Sequence, residues 1–140
     1  MVVVDASVIV ALVVADPRQA EVQDLLAAWL EEGKALHAPA VLPFETANVL
    51  ARLVFEGSLE RRQVTDIWHD LAALSMILHP FDLTRDGPEV AAITARLRRR
   101  HATDSTYMCL AQRLEAPLWT LDGALARNAS DIGLPVNLIS

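Results

Sequence analysis

Five short apolar runs, separated by stretches long enough for helices, limit what this chain can fold into more than any other feature. The runs Val2–Val4, Ala35–Ala38, Met76–Pro80, Leu118–Leu121 and Val136–Ile139 have the length and bounding of buried strands. Between them, helices are expected over Ser7–Val14, Arg18–Glu32, Leu42–Phe55, Glu60–Leu74, Glu89–His101, Ser105–Leu114 and Gly123–Ala129. Leu25, Leu26, Trp29 and Leu30 recur with the spacing of one helical face, as do Val49, Leu50, Leu53 and Val54, so both faces are expected in the core. Gly57-Ser58 ends one helix and Asp86-Gly87-Pro88 starts another, so both read as turns between elements. Strands alternating with helices of about 10 to 15 residues imply βαβ units, and the expected fold is a three-layer α/β/α domain with a five-stranded parallel sheet. No repeat, low-complexity tract or linker interrupts the 140 residues, and 53% hydrophobic composition can fill a core, so a single domain over 1–140 is expected.

The opening stretch, MVVVDASVIVALVVAD, sets an acid inside an almost wholly apolar run. A buried, unpaired carboxylate costs roughly several kcal/mol, so Asp5 must cap a helix, pair with a partner or bind a cation. No Lys or Arg precedes the run, which is also too short to span a bilayer, so it is read neither as a signal peptide nor as a membrane anchor. The lone Cys109 excludes an intrachain disulfide, and the cytoplasm is the expected compartment. A net charge of −6, from 12 basic and 18 acidic residues, speaks against broad adhesion to nucleic acid. It leaves room for a nucleic-acid enzyme that recruits metal.

Ligands of open parallel sheets bind outside the carboxyl ends of the strands, so acids at that edge carry most weight. Asp5 follows the first strand and Asp122 the fourth, Asp104 opens the helix leading into that fourth strand, and Glu45 lies in a first helical turn after Pro43. Each alone suits a helix start, as an N-cap or as a charge facing the helix dipole. Four acids gathered at one edge would repel one another and raise each other's pKa, so a cation or bound protons must offset the charge. Oxygen-only ligands point to Mg²⁺ or Mn²⁺. Zinc is disfavoured, because His37, His69, His79 and His101 show no paired spacing with one another or with Cys109. A serine-nucleophile elbow and the glycine patterns of nucleotide-binding loops are absent.

At these residues the sequence resembles the PIN-domain ribonucleases, in particular the VapC toxins of bacterial toxin–antitoxin pairs. The resemblance is carried, in order, by VVVDASVIVALV with Asp5, APAVLPFETANVL with Glu45, and ATDSTYMCLAQRLEAPLWTLDGALARNA with Asp104 and Asp122. It implies a metal-dependent endoribonuclease with Asp5 and Asp104 at a principal Mg²⁺ or Mn²⁺, Glu45 positioning metal or water, and Asp122 at a second or weaker site. Ser7 and Thr120 are expected to orient a carboxylate or water, or to serve as a cap and a strand-end hydrogen bond; Asn128 is a weaker candidate. Gly123 stands where such proteins often carry a basic residue, and Glu115 where a glycine is common. Arg96, Arg98, Arg99 and Arg100 would hold RNA phosphates or complement a helix dipole. Apolar helical faces bearing Trp29, Phe44, Phe55 and Trp68 are expected mainly in the core, with surplus surface for a homodimer or a cognate antitoxin. Two other readings remain at this point: an aspartyl phosphatase or phosphotransfer domain using Asp5 as nucleophile, which lacks a second acid at Ser7, and a non-catalytic interaction module whose acids are caps.

Overall fold

The computed structural model describes residues 1–140. Its elements run β1 (Val2–Val4), α1 (Ala6–Val13), α2 (Gln19–Glu31), β2 (Leu36–Pro39), α3 (Leu42–Phe55), α4 (Arg61–Ala72), β3 (Ile77–His79), α5 (Asp86–Leu97), α6 (Thr103–Leu114), β4 (Leu118–Thr120), α7 (Gly123–Asp131) and β5 (Val136–Leu138). The strands form one five-stranded sheet in the order β3-β2-β1-β4-β5, and every pairing is parallel. Val2 pairs with Leu36 and Val3 with Leu118, so β1 sits at the centre, fully buried.

Parallel connections are right-handed, which assigns the helices to layers. From β1 to β2 to β3 the chain steps one way across the sheet, carrying α1 to α4 on one face. From β3 to β4 to β5 it steps the other way, so α5 to α7 cover the opposite face. The core is continuous between the layers, with Val3, Val4, Ile9, Leu42, Leu50, Tyr107, Met108 and Leu118 almost wholly enclosed. Trp29 of α2 meets Trp119 of β4 edge-on, with ring centroids 5.2 Å apart. No helix is long and apolar enough to cross a membrane.

Several expectations are corrected. Leu30 is 60% exposed, because Val22 and Trp29, two turns apart, define the buried side of α2. In α3 the buried side is Leu42, Thr46 and Leu50; Val49, Leu53 and Val54 are only half-buried, while Phe44 (71%) and Phe55 (91%) lie in solvent. Of the aromatic residues expected in the core, Trp29 is buried, and Trp68 is half-buried at the edge of the core. Asp86, Gly87 and Pro88 start a helix as expected, but as the first turn of α5 itself, which begins at Asp86 and not at Glu89. The Asp82 carboxylate accepts from the backbone N–H groups of Thr84 and Arg85 ahead of that start. Asp86 is buried, and Arg85 and Arg113 hold its carboxyl down to about 2, with Arg113 at 2.8 Å tying α5 to α6. At its other end α5 stops at Leu97, not His101, because Arg98 adopts the left-handed conformation (φ 52°, ψ 41°). Glycine is the usual sequence signal for that cap, and arginine gives none.

Burial and exposure should separate in a urea titration. Leu118→Ala is expected to cost about 2–5 kcal/mol, and Phe55→Ser to change stability by no more than about 0.5 kcal/mol; a large loss for the serine variant would return Phe55 to the core.

Candidate active site

The strand order creates a switch point at the middle of the sheet. The chain leaves β1 toward β2, whereas β4 flanks β1 on the other side, so a crevice opens between the carboxyl ends of β1 and β4. Asp5 follows β1 directly, and Asp122 lies two residues beyond Thr120, the last of β4. Both acids cap helices: Asp5 accepts from the N–H groups of Ser7 (3.1 Å) and Val8 (3.4 Å), and Asp122 from those of Ala124 (2.9 Å) and Leu125 (3.2 Å). For Asp122, which is exposed, capping accounts for the residue. For Asp5 it does not, because the carboxylate is 7% exposed and carries further partners.

Two hydroxyls clasp Asp5. Ser7 Oγ donates to Asp5 Oδ1 and accepts from the Leu121 N–H at 2.9 Å. Thr120 Oγ1 donates to Asp5 Oδ2 at 2.6 Å and accepts from the Asp122 N–H at 2.9 Å. Each hydroxyl thus links the first acid to the β4–α7 connection that carries the fourth, so Asp5 and Asp122 are positioned together. Arg18, between α1 and α2, fixes the same connection by donating to the Leu121 carbonyl at 3.1 Å.

Glu45 and Asp104 arrive from α3 and α6. Asp104 is not a cap: the N-cap is Ala102, and the Asp104 side chain accepts no hydrogen bond within the protein. Glu45, in the first turn of α3, accepts from the Tyr107 hydroxyl, which reaches across from α6 and is itself almost fully buried. Tyr107 is a site residue that the sequence reading missed; it lies three positions after Asp104 and so shares its helical face.

Electrostatics joins all four acids in a ring. Burial raises the Asp5 pKa, opposed by the Ser7 and Thr120 hydrogen bonds and reinforced by Asp122. Burial raises that of Glu45, opposed by Tyr107 and reinforced by Asp104 and Asp5. Burial raises that of Asp104, opposed by Arg99 and reinforced by Asp122. No three His, Cys, Asp or Glu side chains close into a ligand cluster. The four acids share an edge and a field without forming a tight cage. An oxygen-only set of this kind fits a hard divalent ion that keeps several waters.

Two of the histidines, far apart in sequence, meet in the fold. His37 and His79, on β2 and β3, stack and share a hydrogen bond between Nδ1 and Nε2 at 2.8 Å. Burial lowers both pKa values, with the neighbouring imidazole acting on His37 and Arg113 and Arg85 on His79. Register brings them together: His79 pairs with Pro39, two residues beyond His37, so both project from one face of the sheet. Their facing nitrogens are occupied by each other. Arg96 is also spoken for, donating to the Ile132 carbonyl at the end of α7 at 3.0 Å. Asn128 makes no side-chain hydrogen bond to the four acids.

The PIN domain family profile matches residues 2–130. The chain belongs to the PIN-domain family. This PIN domain shares its fold with the crystal structure of Mycobacterium tuberculosis VapC20, described as a sarcin-ricin loop cleaving toxin, at TM-score 0.69 and 15% identity over 96% of each chain. FitAcB from Neisseria gonorrhoeae gives TM-score 0.63 and 22% identity over 97% of this chain and 96% of that one. PAE2754 from Pyrobaculum aerophilum gives 0.67 and 17% over 90% and 77%. No curated protein sequence matches the chain.

The raised pKa values of Asp5, Glu45 and Asp104 make the folded PIN domain take up protons ahead of the unfolded chain. Their contribution to stability is therefore complete below the ordinary carboxylate pKa and is lost as pH rises through the raised values. In EDTA, the melting temperature of Asp104→Asn should fall less than the parent's between about pH 4 and about pH 7; parallel curves would mean that Asp104 titrates like a solvated carboxylate.

Proposed function

We propose that this PIN domain is a metal-dependent endoribonuclease and acts, as a single domain in the cytoplasm, as the toxin of a toxin–antitoxin pair. The observation that carries the reading is the buried Asp5 carboxylate, clasped by two hydroxyls at the switch point and coupled to three further acids. Asp5 and Asp104 would hold the principal Mg²⁺ or Mn²⁺, with Glu45 positioning metal or water and Asp122 at a weaker position. Bound there, the ion supplies a lowered pKa for its water and neutralises charge on a phosphodiester.

The chain's own groups have separable roles. Ser7 and Thr120 hold both Asp5 oxygens in place, leaving the remaining lone pairs directed by fixed donors. Tyr107 fixes one Glu45 oxygen, so Glu45 meets water or metal through the other. Asp122 is oriented by the first turn of α7. The same clasp argues against Asp5 as a phosphotransfer nucleophile, since hydrogen bonds to both of its oxygens stabilise the carboxylate and weaken its attack.

For partners, the fold neighbours VapC20, described as a toxin, and FitAcB support an antitoxin protein, and exposed Phe44, Phe55 and Leu83 offer apolar surface for it or for a homodimer. Purified protein with Mn²⁺ should cleave RNA, and Asp5→Asn should lower the rate by about 100-fold or more while keeping the fold by circular dichroism. Absence of cleavage by the parent with either Mg²⁺ or Mn²⁺, or an Asp5→Asn variant as active as the parent, would contradict the reading.

A further inference from the structure

We propose that the α5–α6 connection is a second binding element, an open basin that takes the phosphodiester backbone of single-stranded RNA beside the four acids. The inference rests on the nuclease reading and adds where the substrate's flanking phosphates lie. A cavity of about 530 Å³ is lined by Arg98, Arg99, Arg100, His101, Thr103 and Asp104, with no apolar side chain. Asp104 belongs both to this basin and to the acidic edge, so the two are continuous.

The three arginines stand out in this chain as its one run of three consecutive cations. With 18 acidic residues against 12 basic ones, cations have carboxylates at hand. Arg18, Lys34, Arg52, Arg62, Arg85 and Arg113 each pair with one, while Arg61, Arg96 and Arg127 are unpaired but stand apart from one another. Arg98, Arg99 and Arg100 pair with none and stand exposed on consecutive positions. Their backbone is set from both sides: Arg96 anchors the end of α5 to the Ile132 carbonyl, and the left-handed Arg98 turns the chain off the helix axis. Compensation of the α5 dipole accounts for Arg98 at the cap, but that effect falls off within the last turn, and Arg99 and Arg100 lie beyond it.

Adjacent unpaired guanidiniums, permanently charged and shaped for phosphate oxygens, bind a run of phosphates. No Phe, Tyr or Trp lines the basin and His101 is its single ring, so contact falls chiefly on the backbone, with little dependence on sequence. An acidic protein segment is the less favoured occupant, because a protein interface is built round an apolar centre that the basin lacks.

The test is fluorescence anisotropy of a labelled single-stranded RNA oligonucleotide in excess EDTA, where binding is read without turnover. The parent is compared with R98A/R99A/R100A and R98K/R99K/R100K, and thermal melts verify the fold of each. Three lost phosphate contacts should lower the slope of log K against log salt by about 2. The alanine protein should bind at least about tenfold more weakly near 0.1 M salt, with the lysine protein keeping most of the slope. An unchanged slope and affinity in the alanine protein, with the parent still cleaving RNA, overturns the basin and spares the nuclease reading. A parent that neither binds nor cleaves RNA overturns both. Capture of a poly-glutamate peptide through these arginines, with RNA binding unaffected by their loss, assigns the basin to an acidic protein and also overturns the proposal.

Discussion

The hydrogen bonds from Ser7 and Thr120 to Asp5 are the interactions on which the rest of the structure turns. They let an acid sit at the end of the central strand, 7% exposed, among valines that exclude water. The same hydroxyls accept from Leu121 and Asp122 N–H groups, so they also fasten the β1–α1 corner to the β4–α7 corner. The neighbouring strands β1 and β4 reach the crevice from chain segments more than a hundred residues apart, and the clasp is what registers their two acids.

Charge is arranged unevenly around that clasp. Asp86 shows how the fold treats an acid whose role is structural, since two arginines surround it and hold its carboxyl down to about 2. Asp5, Glu45 and Asp104 receive the opposite treatment, with burial and mutual repulsion raising their pKa values. Arg99 is the cation whose field acts on Asp104, and it stands on the α5–α6 connection, whose start is anchored by Arg96. A chain of net charge −6 thus concentrates free positive charge beside its most crowded negative charge.

Much of the fold was legible in the sequence, because parallel strands buried on both sides read as short apolar runs and all five runs form the sheet. The positions of Asp5 and Asp122 followed from the same runs, since each acid ends one. Single-helix periodicity was a poorer guide: it took Leu30, Phe44 and Phe55 for core when each lies away from the residues of its helix that dock. The end of α5 was hidden because an arginine occupies a left-handed cap. Tyr107 bonding Glu45 and His37 bonding His79 were hidden for a different reason, being contacts across 62 and 42 residues that only strand order and register create.

The most direct measurement is calorimetric titration of Mn²⁺ into the parent, Thr120→Val and Thr120→Ser. If the hydroxyl clasp prepares Asp5 for a cation, the parent binds Mn²⁺, the valine variant binds about 10–100-fold more weakly, and serine restores most of the affinity. A parent that binds no Mn²⁺, or a valine variant of equal affinity, would contradict this role for the clasp and leave Asp5 as a helix cap with two spare hydrogen bonds.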